Sequence, residues 1–160
     1  MIIVLFGQPA SGKTTLAESV QKELFIKEHA SYPIIDGDEI REIFKNKDYS
    51  REGRIKNLNR ISDIATFLAH KYKVVLVSAV YPYTEAREYL ETVYKNVVWI
   101  YLKHTDTRGR EQFHVQDFEL PKIAEKRNIL PINTTKDDIE FATQKICSFY
   151  WQISDLARRS

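Results

Sequence analysis

A single cysteine, Cys147, occurs in the 160-residue chain. That scarcity excludes an internal disulfide and any cysteine-rich metal site, and it fits a reducing compartment. Cys147 itself is expected as a small buried apolar residue on the last helix. Charge of one sign is also missing: 24 basic residues face 22 acidic ones, a formal net charge of +2. Nucleic-acid-coating and membrane-surface proteins need a lopsided balance, so both classes are disfavoured. No apolar run approaches membrane-spanning length. The short run near the N-terminus lacks a basic flank and is too brief for a secretion signal. Internal repeats, low-complexity tracts and linkers are absent too. What remains, at 43% hydrophobic content, is one expected globular domain over residues 1–160, placed in the cytoplasm.

The apolar run Ile2-Ile3-Val4-Leu5-Phe6 turns directly into Gly7-Gln8-Pro9-Ala10-Ser11-Gly12-Lys13-Thr14. This is a G-x-x-x-x-G-K-[ST] phosphate-binding loop, in its proper place after a strand. The glycines let successive N–H groups turn inward on a polyphosphate, and a helix beginning near Lys13 adds its positive end. Gly7, Ala10, Ser11, Gly12, Lys13, Thr14 and Thr15 are the expected nucleotide contacts. Lys13 reaches the outer phosphates as a point charge, and the Thr14 hydroxyl is an expected Mg²⁺ ligand. A nucleoside triphosphate is the expected ligand.

Helical and strand spacings alternate along the chain. Leu16, Val20 and Leu24 predict a helix over Lys13 to Glu28. Tyr32 to Asp36 is a short predicted strand, followed by a brief helix from Glu39 to Phe44. Ile55, Leu58, Ile61, Ile64, Ala65 and Leu68 form the stripe of a longer helix over Arg54 to Lys71. Val74 to Val77 and Val97 to Leu102 are unbroken apolar runs, as strands buried on both faces require, with a helix over Thr84 to Tyr94 between them. Polar residues dominate from His104 to Lys122, an expected mobile lid. Ile129 to Ile132 is the last strand. The final helix is expected to be capped by Thr135 with Asp138 and striped by Ile139, Ala142, Ile146, Phe149 and Ile153. This alternation predicts an α/β fold: a three-layer sandwich of the P-loop NTPase type, with a parallel sheet of about five strands and a short lid.

Many NTPases place a Mg²⁺ carboxylate at the end of a second buried strand. Here that strand ends in Ser78-Ala79 and offers no acid. Acids come instead from Asp36 and Asp38, at the carboxyl end of another strand, the edge where open parallel sheets bind ligands. A carboxylate there orders Mg²⁺ and its waters or accepts a proton from an attacking hydroxyl. A plain turn with Asp38 capping the next helix would use the same residues. Arg54 and Asn57 project on the same side as Ile61, Ala65 and Leu68. Polar groups at one end of a core-facing stripe line a cleft, because burying them unpaired is costly. Arginine forks suit anionic oxygens, so Arg41, Arg54, Arg60 and Arg87 are weighed with Asn57 as contacts to an anionic acceptor. His29, His70, His104 and His114 are expected as solvated residues.

In order, the phosphate loop, Asp36-Gly37-Asp38-x-x-Arg41, Arg54-x-x-Asn57-x-x-Arg60 and Pro82-Tyr83-x-x-x-Arg87 resemble the adenylylsulfate kinases. Phe118-Glu119-x-Pro121 and Ile132-Asn133-Thr134 carry the resemblance further along the chain. It implies ATP·Mg²⁺ as donor and a ribose 3′-hydroxyl of a 5′-modified nucleotide as acceptor. Lys13 would hold the phosphates, Thr14 and Asp36 the Mg²⁺, and Asp38 would activate the acceptor hydroxyl. Asp36, Arg41, Arg54, Asn57, Arg60, Pro82 and Tyr83 would meet the acceptor. Tyr49 stands where the family stacks a Phe on the acceptor base. A homodimer is also implied, with a small-molecule nucleotide as partner and neither nucleic acid nor membrane.

The departure lies between His104 and Asp117, where the family carries a longer lid with Arg-Asp-x-Lys-Gly-Leu-Tyr and Phe-Thr-Gly motifs. Arg108 and Arg110 are expected to supply catalytic charge to the transferring phosphoryl group, and Phe113 or Phe118 to replace the missing stacking partner. The altered lid favours the branch that phosphorylates cytidine diphosphoramidate in capsule phosphoramidate biosynthesis, with adenylylsulfate itself second. Two other classes stay open. One is a nucleotide-binding switch without transfer activity. The other is a polynucleotide 5′-hydroxyl kinase, which near-neutral charge disfavours.

Overall fold

The structure, a computed structural model, describes residues 1–105, 109 and 111–159, without the Glu111 side chain. Five parallel strands form one sheet in the order β2-β3-β1-β4-β5. They are β1 (Ile2–Phe6), β2 (Ile34–Asp36), β3 (Val75–Ser78), β4 (Val97–Lys103) and β5 (Ile129–Asn133). Side chains alternate along β1. Ile3 and Leu5 join a core under the helices α1 (Lys13–Glu28) and α5 (Ile139–Arg159), while Ile2, Val4 and Phe6 face the opposite layer. That layer holds α2 (Gly37–Ile43), α3 (Arg51–Ala69) and α4 (Thr84–Val93). The result is the expected three-layer α/β sandwich. No described helix is long and apolar enough to cross a membrane.

Helix starts are where local chemistry moved the expected boundaries. Ser50 accepts from the Gly53 N–H and begins α3 three residues before Arg54. Gly53 is required there, since a Cβ would run into Asp48. Asp36, not Asp38, caps α2: its Oδ1 accepts from the N–H groups of Asp38 (2.9 Å) and Glu39 (3.4 Å). For α5, Asp138 accepts from the Phe141 N–H at 2.8 Å. Thr135 turns instead to Thr105, whose N–H it accepts at 3.1 Å. The buried face of α5 is Ala142, Thr143, Ile146, Cys147 and Tyr150, with Ile139 left exposed, so it is rotated from the expected stripe. Cys147 is buried as expected, and burial pushes its thiol up to about 12.

The stretch expected to be mobile is pinned over its second half. Val115 is buried, and Asp117 and Glu119 are bonded to α3 and α4 as described below. Phe118 packs on Tyr101, with ring centroids 6.2 Å apart.

Candidate active site

The loop between β1 and α1 sits at the carboxyl end of the central strand, the edge where open parallel sheets bind ligands. Gly7 could not be another residue: its φ is +152°, and a Cβ would lie 2.5 Å from the Leu102 carbonyl oxygen on β4. The N-terminus of α1 has no side-chain cap and no acid in its first turn. The positive dipole end of a helix favours an anion there. Ser11 is fully buried beneath the loop. Lys13 Nζ donates to the Gln8 carbonyl at 2.9 Å and to Ser11 Oγ at 3.4 Å.

β2 lies beside β3, with Asp36 opposite Ser78. Thr14 Oγ1 donates to Asp36 Oδ2 at 2.8 Å, and the Thr14 and Ser78 hydroxyls are 3.0 Å apart. The strand that offers no acid therefore supplies a hydroxyl, and its neighbour supplies the carboxylate. Hydroxyl and carboxylate oxygens at the loop fit Mg²⁺, which takes one or two protein oxygens alongside phosphates and water. Among the described residues no group of three or more His, Cys, Asp or Glu forms an all-protein metal cage.

A cleft of about 1210 Å³ opens from this loop. Ala10, Gly12, Lys13, Thr14 and Thr15 line one end of it. Asp36, Asp38 and Arg41 from β2 and α2, with Tyr49, Arg54, Asn57 and Pro82, line the rest. Residues between sequence positions 9 and 113 thus share one cavity. Arg41 Nη1 donates to the carbonyls of Asn46 (3.2 Å) and Asp48 (2.8 Å) and so holds the turn before α3. Burial pulls its pKa down, with Tyr49, Asp38 and Asp48 opposing that and Arg54 adding to it. The Arg41 guanidinium lies 4.3 Å from the Tyr49 ring centre and that of Arg54 lies 5.4 Å from it. Arg54 Nε also donates to the Tyr49 carbonyl at 2.9 Å. Asn57 is buried; its Nδ2 donates to the Gly37 carbonyl at 3.4 Å, while its Oδ1 has no partner among the described residues. A buried, unpaired acceptor on a cleft wall is an incomplete hydrogen bond.

Gly7 and Ser11 do not line the cleft, and Arg60, Tyr83 and Arg87, also weighed for the site, lie away from it. Arg60 lies over the Phe44 ring at 4.6 Å and borders a separate shallow groove with Arg51 and Asp63. Tyr83 is buried, donates to Asp117 Oδ1 at 3.1 Å and carries the Arg51 guanidinium on its ring at 4.1 Å. Arg87 is spent on structure: it donates to the carbonyls of Tyr81 (2.7 Å) and Glu119 (2.8 Å). Burial lowers its pKa as well. Arg108 and Arg110 fall outside the described residues. Of the two candidate stacking rings, Phe113 lines the cleft and Phe118 does not. His104, expected to be solvated, is half-buried, with Nδ1 3.0 Å from the Thr134 hydroxyl.

A family model described as adenylylsulphate kinase matches residues 1–130. The chain belongs to the adenylylsulphate kinase family. An adenylyl-sulfate kinase of Chloroflexus aurantiacus is 40% identical over 90 residues, covering 54% of this chain and 47% of that protein. A cytidine diphosphoramidate kinase of Campylobacter jejuni is 33% identical over 102 residues, covering 64% of this chain and 59% of its own. The chain thus spans about half the length of these relatives. A Mycobacterium tuberculosis APS kinase, solved in complex with AMPPNP and APS, shares the fold at a TM-score of 0.76 and 20% identity, covering 93% of this chain and 96% of the other.

Proposed function

We propose that this protein transfers the γ-phosphate of ATP to the ribose 3′-hydroxyl of a 5′-modified nucleotide. The observation that carries the reading is one cleft that joins the phosphate loop to Asp38, Arg41, Arg54 and Asn57. An NTPase switch has no use for an acceptor half walled by two arginines and an exposed carboxylate. Asp38, exposed toward solvent and free of the capping duty that Asp36 performs, is the group that orients the acceptor hydroxyl and takes its proton. Lys13 offsets charge on the transferring phosphoryl group. Thr14 and Asp36 would hold Mg²⁺, which neutralises phosphate charge when bound with the nucleotide. Arg41 and Arg54 meet the acceptor's 5′ anion, and Tyr49 offers a ring to its base. Arg108 and Arg110 remain candidates for the phosphoryl group.

The shortened lid favours cytidine diphosphoramidate as acceptor. Adenylylsulfate is the second reading, favoured by the name of the 40% identical relative. A coupled ADP-release assay with both compounds and a no-acceptor control decides. Turnover with the cytidine compound alone supports the first reading, and turnover with adenylylsulfate alone replaces it with the second. ADP release that ignores acceptor would remove the transferase reading. The same family resemblance leads us to propose a homodimer, testable by light scattering.

A further inference from the structure

We propose that Gln8 is a positioning residue: its side chain fixes the segment at 113–119 and thereby sets Phe113 over the acceptor half of the cleft. The inference rests on the kinase reading of that cleft. Gln8 is the first variable position of the phosphate loop, and its side chain does not line the cleft. Its amide pairs with one distant residue twice. Nε2 donates to the Val115 carbonyl at 2.9 Å, and the Val115 N–H donates to Oε1 at 2.9 Å. The side chain thus imitates a neighbouring strand for a single residue. Val115 is 4% exposed, so both of its main-chain groups would otherwise be orphaned away from water.

That requirement is chemically narrow. A hydrocarbon at position 8 satisfies neither group, and a carboxylate satisfies only the N–H. Downstream, the segment has other anchors. Glu119 accepts from the Thr84 N–H (2.6 Å) and from Arg51 (3.0 Å), and its own N–H donates to the Pro82 carbonyl (2.8 Å). Upstream of Asp117, Gln8 is the side-chain tie seen among the described residues. Phe113 lines the cleft only two residues before Val115, a reach of roughly 7 Å, so its place follows from that tie. The Gln8 carbonyl meanwhile accepts from Lys13 Nζ. One residue therefore joins the phosphate-loop lysine to an aromatic ring that lines the cleft.

The test combines hydrogen exchange with a double-mutant cycle. Gln8→Leu should speed exchange of the Val115 amide at least about tenfold, as loss of two hydrogen bonds predicts. It should raise the acceptor KM about tenfold and lower kcat less, the pattern for a lost ground-state contact. Gln8→Glu, which keeps the acceptor for the Val115 N–H, should fall between. Phe113→Leu should reproduce the KM effect without changing Val115 exchange, and the double variant should be no worse than either single one. Additive KM losses, or unchanged Val115 exchange in Gln8→Leu, would overturn the proposal. Absence of transfer to any nucleotide by the wild-type protein defeats the kinase reading instead, and the exchange result still decides the Gln8 tie.

Discussion

Thr14 and Asp36, 22 positions apart, are joined by a 2.8 Å hydrogen bond from hydroxyl to carboxylate. The other oxygen of the same carboxylate caps α2. One side chain therefore sets the loop hydroxyl and fixes the turn that presents Asp38.

Asp36→Asn keeps an oxygen for the cap but loses a carboxylate from the Thr14 contact. At saturating ATP the Mg²⁺ concentration for half-maximal turnover should rise about tenfold or more. A Mg²⁺ titration of both proteins checks it, and an unchanged midpoint would leave Asp36 with capping alone.

Asp38→Asn retains shape and removes the carboxylate proposed as the base. Turnover should fall about a hundredfold or more, while nucleotide affinity stays close to that of the parent. Lys13→Ala should impair both, with kcat down about a hundredfold. Steady-state kinetics beside equilibrium titration with a non-hydrolysable ATP analogue separates the two patterns.

Gly53→Ala places a methyl group against Asp48. Overpacking of this kind costs about 1–3 kcal/mol, visible as a lower urea midpoint at unchanged slope. Because Asp48 belongs to the turn that Arg41 holds, acceptor KM should rise along with the stability loss.

Glu28 gathers Tyr32 (2.6 Å), Lys73 (2.6 Å) and Trp151 (3.2 Å) on its carboxylate. Burial would raise its pKa, but the hydrogen bonds from Lys73, Tyr32 and Trp151 outweigh it and hold the group below its ordinary 4.5. A depressed folded pKa means stability that is full above the unfolded value and lost as pH falls through the folded one. Urea midpoints should therefore drop below about pH 4.5, and Glu28→Gln should be less stable at pH 7 with a flatter acid limb. Equal acid limbs in the two proteins would contradict this.

Much of the molecule was legible because short-range rules govern it. Unbroken apolar runs in β1, β3 and β4, and the spacing of Leu16, Val20 and Leu24, each depend on neighbours within one turn or pleat. The phosphate loop is legible for the same reason: its glycines, lysine and threonine act within eight consecutive residues. Asp38, Arg41, Arg54 and Asn57 could be nominated from residue type and helix face, and the cleft brings them together.

Other assignments needed the third dimension. Asp36 and Asp38 have identical chemistry and differ by two positions; only the turn geometry gives the cap to one and exposure to the other. Arg60 lies one periodic step beyond Asn57, yet helix rotation carries it to another groove. Phe113 and Phe118 are equivalent as letters, and packing on Tyr101 withdraws the second. Gln8 finds Val115 across 107 positions, a pairing for which no local rule exists. The sequence by itself determined the elements and the phosphate-loop motif, because those depend on adjacent residues. Which polar groups share a cleft was decided by chain crossovers that bring distant strand ends to one sheet edge, and only the tertiary structure holds that information.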